Sequence, residues 1–437
     1  GADVGIPGNA SPEGGEAGAA GRPPDAQIRG TNYFIAPGAL AEDRKPAEKA
    51  RDNFRAIQLA KQIDLEQRAA TREEQDALVK YVGWGGLSGV FESDGAFRDV
   101  ARALKAALTP DEYSTASQST QYAHYTSEPV VRGMWDAVAR MGFKGGQVYE
   151  PGMGVGHFLG MMPPDIAAAS RYQGIERDHV TALIAKALYP ESGVTRGDFI
   201  PAVVPEGHFD LVIGNPPFSD TKITSDPKYA KHKFMLHDYF FAKSVDAVRP
   251  GGLLAFVTSA GTMNKQSQEE RLYMAQRAEL LGGVRLPSLA FQEGAGTEVT
   301  TAILFFQKRP VEISRAEAQK EPWVETVVRE LPDKSGATAP VAVSRYFTAN
   351  PDMVLGQEGR FDKLYPNRYA VHFTEGDTDA ARRAAFERKL PEALAKLPRD
   401  IYKPYDAAGA RAERDLNAPE TKGGSYYVKD GNLWQYD

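Results

Sequence analysis

The chain has 437 residues, a formal net charge of −6 and no cysteine. This length predicts two or three folded units. The absence of cysteine excludes disulfides and thiolate metal sites, and no apolar run in the sequence is long enough to span a bilayer. We therefore expect a cytoplasmic protein without a membrane partner. The negative charge excludes a protein that coats nucleic acid with its whole surface, so any such contact requires a local basic surface.

The first 120 residues divide into a leader and a helical region. Residues 1–30 are rich in Gly, Ala, Pro and Glu and lack a basic start, which predicts a disordered leader rather than a secretory signal. Residues 31–120 have apolar residues at helical spacing, and Thr71 with Glu74 predicts a capping box. The Gly-Trp-Gly-Gly cluster at 83–86 cannot continue a helix and predicts a tight loop.

The pattern changes at residue 121, where short β-type runs begin to alternate with helical stretches. The runs are 147–150, 172–175, 209–213, 253–257 and 300–306. This alternation predicts an α/β catalytic domain at 121–310, with a mostly parallel, Rossmann-like sheet covered on both faces. Residues 311–437 form a mixed C-terminal region, with a helix expected at 379–397 and a hairpin at 425–436.

A glycine-rich turn follows the first of these strands. It comprises Glu150, Pro151, Gly152, Gly154 and Gly156. Glycines at these positions let the backbone turn sharply and approach a ligand closely. The turn alone is also compatible with an ordinary loop or a dinucleotide site.

Acidic residues at the next two strand ends extend this candidate cofactor site. Glu176 lies about twenty residues beyond the loop, where a carboxylate can accept hydrogen bonds from both ribose hydroxyls. Asp198 and Phe199 offer a carboxylate to an adenine amine and an aromatic face to its ring. Each acid alone is also compatible with a solvated strand end or, for Asp198, a helix cap, so the prediction depends on the ordered series.

The most informative string follows the strand at 209–213 and comprises Asn215, Pro216, Pro217 and Phe218. The lone pair of an exocyclic amine is delocalised into its base, so a site that accepts both N–H hydrogens favours the reactive pyramidal amine. The Asn215 side chain and the Pro216 carbonyl supply two acceptors, and Phe218 offers a face to an extruded base. We predict a catalytic motif that needs no metal, with Asn215 also contacting the cofactor; the alternative is a proline-rich turn after a core strand.

Asn-Pro-Pro-Phe with this glycine loop resembles the amino-methyltransferase superfamily, which implies S-adenosyl-L-methionine as cofactor. Residues 121–127 are similar to the segment that precedes the cofactor loop in the gamma class of DNA adenine-N6 methyltransferases. This resemblance implies that Thr126 contacts the methionine end of the cofactor, that Tyr122 also contacts it, and that Phe291 stacks on the flipped adenine. A helix N-cap for Thr126 or Ser127 and core burial for Phe291 remain alternatives. Where the family usually has proline after the threonine, this chain has Ser127.

Residues 53–87 and 121–126 also resemble large phage and plasmid proteins of the antirestriction type, which fuse an adenine methyltransferase to a helicase. The resemblance implies DNA as substrate, in a bacterial or phage-infected host cell. A helicase would have to be elsewhere, because this sequence has no Gly-x4-Gly-Lys-Ser/Thr loop. Methylation of RNA guanine N2 or of a protein glutamine amide, and a non-catalytic DNA-binding module, remain alternatives.

The C-terminal region is the candidate for DNA recognition. Within 360–369, cations alternate with aromatics, which suits phosphate contacts and base stacking. The residues concerned are Arg360, Phe361, Lys363, Tyr365, Arg368 and Tyr369. A charged surface loop anchored by aromatics is the alternative.

Overall fold

The computed structural model describes residues 30–40, 44–85, 87–92, 97–120, 125–291, 300–360 and 368–404, and the backbone of 426–429 and 432–435. The side chains of Leu289 and Phe291 are outside this description, and so is the predicted leader up to residue 29. None of the helices in the described part of the chain is long and apolar enough to cross a bilayer.

Ahead of the sheet, the described residues form α-helices and one 3-10 turn at Ser88–Phe91. The helices are α1 (Pro46–Glu66), α2 (Arg72–Leu78), α3 (Arg98–Ala107) and α4 (Pro110–Ser119). The predicted capping box is confirmed: Glu74 N donates to the Thr71 hydroxyl (3.3 Å) and Thr71 N donates to the Glu74 carboxylate (2.8 Å). Two otherwise unsatisfied donors at the start of α2 are thereby bonded.

Within the described residues, seven strands form one sheet in the order β3-β2-β1-β4-β5-β7-β6. Their bounds are β1 (Gln147–Pro151), β2 (Arg171–Glu176), β3 (Gly193–Arg196), β4 (Phe209–Gly214), β5 (Val248–Ser259), β6 (Ala278–Leu286) and β7 (Thr301–Lys308). β3, β2, β1, β4 and β5 pair in parallel, whereas β7 is antiparallel to both β5 and β6. The predicted α/β, Rossmann-like fold is confirmed.

Helices connect and cover these strands. They are α5 (Glu128–Arg140), α6 (His157–Gly160), α7 (Pro164–Ala168), α8 (His179–Leu188), α9 (Leu236–Ala247), α10 (Ala260–Asn264) and α11 (Glu269–Arg277). Because β1 and β4 are neighbours and continue into different crossovers, a crevice opens beyond their carboxyl ends, where ligands bind in such folds.

The N-terminal helical region packs directly on the sheet domain. Tyr33 N donates to the Leu188 carbonyl (2.8 Å) at the end of α8, and the Gln75 side chain reaches the same carbonyl (3.2 Å). Ile35 N donates to the Gly160 carbonyl (2.8 Å) at the end of α6. These contacts make the region part of the wall behind the glycine loop; the exact domain boundaries stay predictions.

The C-terminal region is mixed, as predicted. Its elements are α12 (Arg315–Ala318), β8 (Thr326–Pro332), β9 (Thr338–Ser344), α13 (Arg345–Ala349), β10 (Gln357–Gly359), β11 (Ala370–His372), α14 (Asp379–Leu394), β12 (Tyr426–Lys429) and β13 (Asn432–Gln435). α14 starts where the sequence predicts it and ends at Leu394 rather than 397. It packs on α5, where a Cβ on Gly133 would lie 2.7 Å from Leu394. The predicted hairpin forms through antiparallel pairing of β12 and β13.

The amino ends of β1 and β4 are closed by a buried polar network. The Asp210 carboxylate accepts hydrogen bonds from Gln147 N (2.7 Å), Arg249 Nε (2.6 Å) and the Tyr402 hydroxyl (2.9 Å). Arg249 also donates to the Tyr402 hydroxyl (2.9 Å) and the Lys403 carbonyl (2.7 Å). The network therefore joins two central strands to the segment that follows α14.

Candidate active site

The glycine loop leaves β1 in a conformation that other residues rarely adopt. Gly152, Gly154 and Gly156 have φ values of 68°, 57° and 80°, in the left-handed region that favours glycine. Gly152 N and Met153 N both donate to the Ile175 carbonyl, at 2.9 and 3.0 Å, which fixes the loop to the end of β2. The result is a tight strand-to-helix turn with little side-chain bulk, as a ligand-binding loop requires.

Glu176 lies at the end of β2, in contact with this loop. One carboxylate oxygen accepts a hydrogen bond from Gly154 N (2.8 Å) and the other accepts one from Asp178 N (2.8 Å). Burial raises the pKa of Glu176 to about 7, although these backbone donors act in the opposite direction. Glu176, the residue predicted to bind the ribose, is thus fixed beside the glycine loop. The charge of its carboxyl group depends on pH near neutrality.

Glu150 lies beneath the site rather than at its surface. Its side chain is 2% exposed and accepts a hydrogen bond from the Tyr172 hydroxyl (2.5 Å). Burial raises the pKa of this carboxyl well above its usual range. A Cβ on Gly214 would lie 3.3 Å from the Glu150 side chain, so Glu150 forms a floor between the ends of β1 and β4. A direct contact of Glu150 with the cofactor stays a prediction.

The pair Asp198 and Phe199 follows β3. Asp198 accepts a hydrogen bond from Ile200 N (2.9 Å), and its carboxylate is one-third exposed, so it can still reach a ligand. The Phe199 ring is 3% exposed and packs on Phe240 with centroids 4.5 Å apart, beneath the Lys243 ammonium. This corrects the expectation of an open aromatic face: Phe199 supports the pocket from the core.

The Asn-Pro-Pro-Phe motif lies at the carboxyl end of β4, next to the glycine loop. A Cβ on Gly152 would lie 3.7 Å from Cδ of Pro217, which places the two motifs in van der Waals reach. Pro216 is buried, whereas Asn215, Pro217 and Phe218 are partly exposed. The structure therefore brings together the loop predicted to bind the cofactor and the motif predicted to hold the base.

A group of buried polar atoms lies beside the same loop. Thr126 is 4% exposed, and its hydroxyl, like that of Ser127, has no hydrogen-bond partner among the described residues. The neighbouring Tyr125 ring would lie 3.0 Å from a Cβ on Gly154. Because unbonded buried hydroxyls are costly, these atoms fit a site completed by a polar ligand. Of the alternative role as a helix N-cap, Ser127 has the position at the start of α5, but its side chain makes no capping hydrogen bond.

His157 joins this group and was not singled out by the sequence. It begins α6 directly after Gly156, is buried, and stacks at an angle on Tyr125 with centroids 5.0 Å apart. Neither ring nitrogen has a partner among the described residues, and burial lowers its pKa to about 4. The ring is therefore neutral at pH 7. Its place immediately after the third glycine is the signal that could have identified it.

Residues 81–84 pack beside this group. The Asn53 amide donates to the Gly83 carbonyl (2.5 Å), and its oxygen accepts from Val82 N (2.9 Å). Tyr81 in turn makes edge contacts with Trp84 and Tyr125, both at 6.5 Å between centroids. The N-terminal region thus packs on the residues that contact the glycine loop.

Two predicted site residues are outside the described part of the structure. Tyr122 lies in the undescribed segment 121–124. The backbone of Phe291 ends a 3-10 turn at Ser288–Phe291, but its side chain is not described. Their assigned roles stay predictions.

The candidate DNA-recognition segment is only partly described, and its ends have structural contacts. The Arg360 side chain donates to the carbonyls of Leu331 (3.1 Å) and Ala337 (2.7 Å) and pairs with Asp333 (3.2 Å). The Tyr369 hydroxyl donates to Glu358 (2.8 Å). This corrects the expectation that these two residues face DNA: both fasten strands of the C-terminal region. Residues 361–367, including Phe361, Lys363 and Tyr365, are outside the described structure.

Comparisons with known proteins agree with this geometry. Residues 178–285 match the family described as the Eco57I restriction-modification methylase. The chain is 27% identical over 286 residues to the defense against restriction protein B of Escherichia phage P1, which covers 63% of this chain and 11% of that protein. This chain therefore corresponds to a small part of that relative.

Solved structures with related folds have low sequence identity to this chain. A putative class I S-adenosylmethionine-dependent methyltransferase from Listeria monocytogenes is 14% identical, with a TM-score of 0.40, covering 64% of this chain and 90% of that chain. A type I restriction-modification methyltransferase subunit from Streptococcus thermophilus is 17% identical, with a TM-score of 0.38, covering 74% of this chain and 80% of that chain. Residues 178–285 thus match the Eco57I restriction-modification methylase family, and the predicted resemblance to a methyltransferase of the phage antirestriction type is confirmed.

Proposed function

We propose that this protein transfers a methyl group from S-adenosyl-L-methionine to the N6 amine of adenine in DNA. The observation that carries the proposal is the proximity of the two motifs, since a Cβ added to Gly152 of the glycine loop would lie 3.7 Å from Pro217 of Asn-Pro-Pro-Phe. A methyl donor on the loop and a base at the tetrapeptide would therefore be adjacent. Proximity of this kind supplies much of the acceleration when the methyl donor is already reactive.

The cofactor is S-adenosyl-L-methionine, as the methylase match and the fold imply. When bound, it supplies an electrophilic methyl group on a sulfonium. Glu176 would accept hydrogen bonds from the ribose hydroxyls and Asp198 from the adenine amine. The buried hydroxyl of Thr126, which has no partner among the described residues, would bond the methionine end.

The tetrapeptide would hold the target base. The Asn215 oxygen and the Pro216 carbonyl would accept the two N6 hydrogens, which directs the nitrogen lone pair towards the methyl group. Phe218 is partly exposed beside them and would stack on the extruded base. The amine becomes more acidic once it is methylated, so its proton can leave to solvent without a dedicated strong base.

The biological role belongs to the same proposal. Similarity to the phage P1 protein supports modification of phage or plasmid DNA as a defence against host restriction. That relative is much longer than the segment matched here, so a further domain or protein, such as a helicase, would act beside this chain.

The test incubates the protein with labelled S-adenosylmethionine and unmethylated DNA, digests the product to nucleosides and identifies the labelled one. We expect label in N6-methyladenine, and none with Asn215→Ala. Asn350→Ala is a matched control, because it removes an amide whose bond to the Tyr346 carbonyl (2.8 Å) lies in the C-terminal region.

Other products would overturn the proposal at different levels. Label at cytosine N4 would reject adenine while keeping DNA. Label only in RNA guanine or in a protein glutamine would reject DNA. No transfer to any of these substrates, with cofactor bound in calorimetry, would reject catalysis by this chain alone.

A further inference from the structure

The segment between Phe218 and α9, residues 219–235, forms a lysine hairpin that the proposed chemistry does not use. Lys222 and Met235 form an antiparallel bridge, and Ile223 N donates to the Phe234 carbonyl (2.8 Å). The hairpin starts directly after the tetrapeptide. Lys222 is four residues from Phe218, which limits their Cα separation to roughly 14 Å.

The hairpin is anchored on the protein core. Ile223, Tyr229 and Phe234 are all buried. The Tyr229 hydroxyl donates to Asp246 (2.8 Å), and Asp226 accepts from the Tyr239 hydroxyl (2.7 Å). These bonds fix the backbone of the hairpin, so its outward side chains have a defined position beside the tetrapeptide.

Two charged residues of the hairpin, Asp226 and Lys228, form ion pairs within the fold. Asp226 lies 3.5 Å from the Lys243 ammonium, and Lys228 pairs with Asp246 (2.5 Å) and Glu206 (2.6 Å). The other acidic residue of the segment, Asp220, is exposed.

Three exposed lysines of the hairpin stand against one exposed acid, Asp220. Lys222, Lys231 and Lys233 are exposed, and none has an ion pair with a described residue. Lys222 and Lys233 precede the buried residues Ile223 and Phe234 in the sequence and are themselves exposed. A protein of net charge −6 thus presents a local excess of cations next to its candidate base site.

We propose that the lysine hairpin binds backbone phosphates of the DNA strand that carries the target adenine. This rests on the proposed function, because it takes DNA as the partner and Asn215 to Phe218 as the site of the base. Flexible ammonium groups on a fixed backbone suit phosphates, which they can contact without reading sequence. The hairpin would hold the strand while one nucleotide is extruded towards Phe218.

The test measures binding of the full chain to a fluorescent duplex DNA of about 30 base pairs by anisotropy across a salt series. The variant is K222Q/K231Q/K233Q. The matched control is K144Q/K186Q/K334Q, which removes three exposed lysines elsewhere and changes the net charge equally. Each lost phosphate contact reduces the slope of log K against log salt by about 0.9. We expect a reduction of roughly 2 to 3 for the hairpin variant and no reduction for the control.

Each other outcome overturns the inference. An unchanged slope in the hairpin variant rejects the contacts, and an equal reduction in both variants shows a general charge effect. A slope that falls only for an RNA duplex rejects DNA as the partner. Binding needs no catalysis, so an absence of methyl transfer would overturn the proposed function and leave this measurement valid. Circular dichroism melting of both variants checks that exposed substitutions have not altered folding.

Discussion

The two ends of the strands β1 and β4 have opposite polar chemistry. At their amino ends, Asp210 accepts three hydrogen bonds and Arg249 is bonded on all sides. At their carboxyl ends, the chain turns through glycines, which have no side chains. The nearby hydroxyl of Thr126 has no hydrogen-bond partner among the described residues. The same pair of strands therefore ends in a saturated network on one side and in an incomplete polar surface on the other.

This difference separates residues that stabilise the fold from residues positioned for a ligand. A buried charged network is costly to break, because removal of one partner leaves the other charge uncompensated. A buried polar atom without a partner costs stability in the free protein, which a ligand can recover. Substitutions at the two ends should therefore affect different measurements, and four of them test this division in order of decreasing effect.

Asp210→Ala is expected to have the largest effect, on stability alone. Removing the carboxylate leaves the Arg249 guanidinium buried without its charge partner, which costs about 3–5 kcal/mol. Urea unfolding monitored by tryptophan fluorescence measures this loss. The folded fraction should bind the cofactor with unchanged affinity, and a loss of affinity would contradict the division between the two ends.

Asn215→Ala is expected to have the next largest effect, on rate alone. Losing one preorganised acceptor at the reacting amine should lower kcat by about 10²–10³-fold, or about 2.7–4 kcal/mol. Because Asn215 is partly exposed at a strand end, the unfolding midpoint should stay unchanged. Single-turnover methyl transfer at saturating cofactor and DNA measures the rate. An unfolding midpoint that falls with the rate would place Asn215 among the structural residues.

Glu176→Gln is expected to weaken cofactor binding by about 10–100-fold, or about 1.4–2.7 kcal/mol, because a charge-assisted pair of hydrogen bonds to the ribose is replaced by neutral ones. The pKa of Glu176 is raised to about 7, so the carboxylate gains a proton as the pH falls through 7. Only the ionised form accepts bonds on both oxygens. Affinity of the natural protein should therefore fall by up to tenfold per pH unit below 7.

Calorimetry with the reaction product S-adenosylhomocysteine between pH 5.5 and 8.5 measures this dependence. The Gln variant should show a flat profile. A sloped profile in the Gln variant would assign the titration to another group.

Thr126→Val is expected to have the smallest effect. Valine keeps the shape and removes the hydroxyl, so cofactor affinity should fall by about 0.5–1.5 kcal/mol. Stability of the cofactor-free protein should be equal or higher, because a buried hydroxyl without a described partner is lost. Calorimetry and thermal melting measure the two quantities. Lower stability with unchanged affinity would assign Thr126 to the structural group.

The sequence predicts the parts of this molecule that depend on local signals. Five strands, the capping box at Thr71, α14 and the C-terminal hairpin follow from periodicity and turn residues, and all are present. The order of glycine loop, Glu176, Asp198 and Asn-Pro-Pro-Phe also predicts which strand ends meet. Parallel strands force their carboxyl ends to one edge, so sequence order alone places these motifs together.

Features that depend on distant packing are not predictable in this way. β6 follows α11 without a break, and its pairing register shifts between Leu280 and Gly282, so apolar and polar residues do not alternate regularly along it. The pattern at 360–369 suggested a basic surface, but the partners of Arg360 lie 23 to 29 residues away in β8 and the turn after it. Burial of Phe199 likewise depends on Phe240 in α9, a contact that cannot be inferred from the residues around position 199.

The Asn53 contact has a practical consequence for engineering. By fixing Val82 and Gly83, it holds the aromatic pair Tyr81 and Tyr125 against the loop that starts after β1. A shortened gene that starts at residue 121 would keep every motif of the candidate site and still leave α8 and Tyr125 without the residues that pack on them. A shortened version with the proposed activity would therefore need to retain the N-terminal helices, which contain none of these motifs.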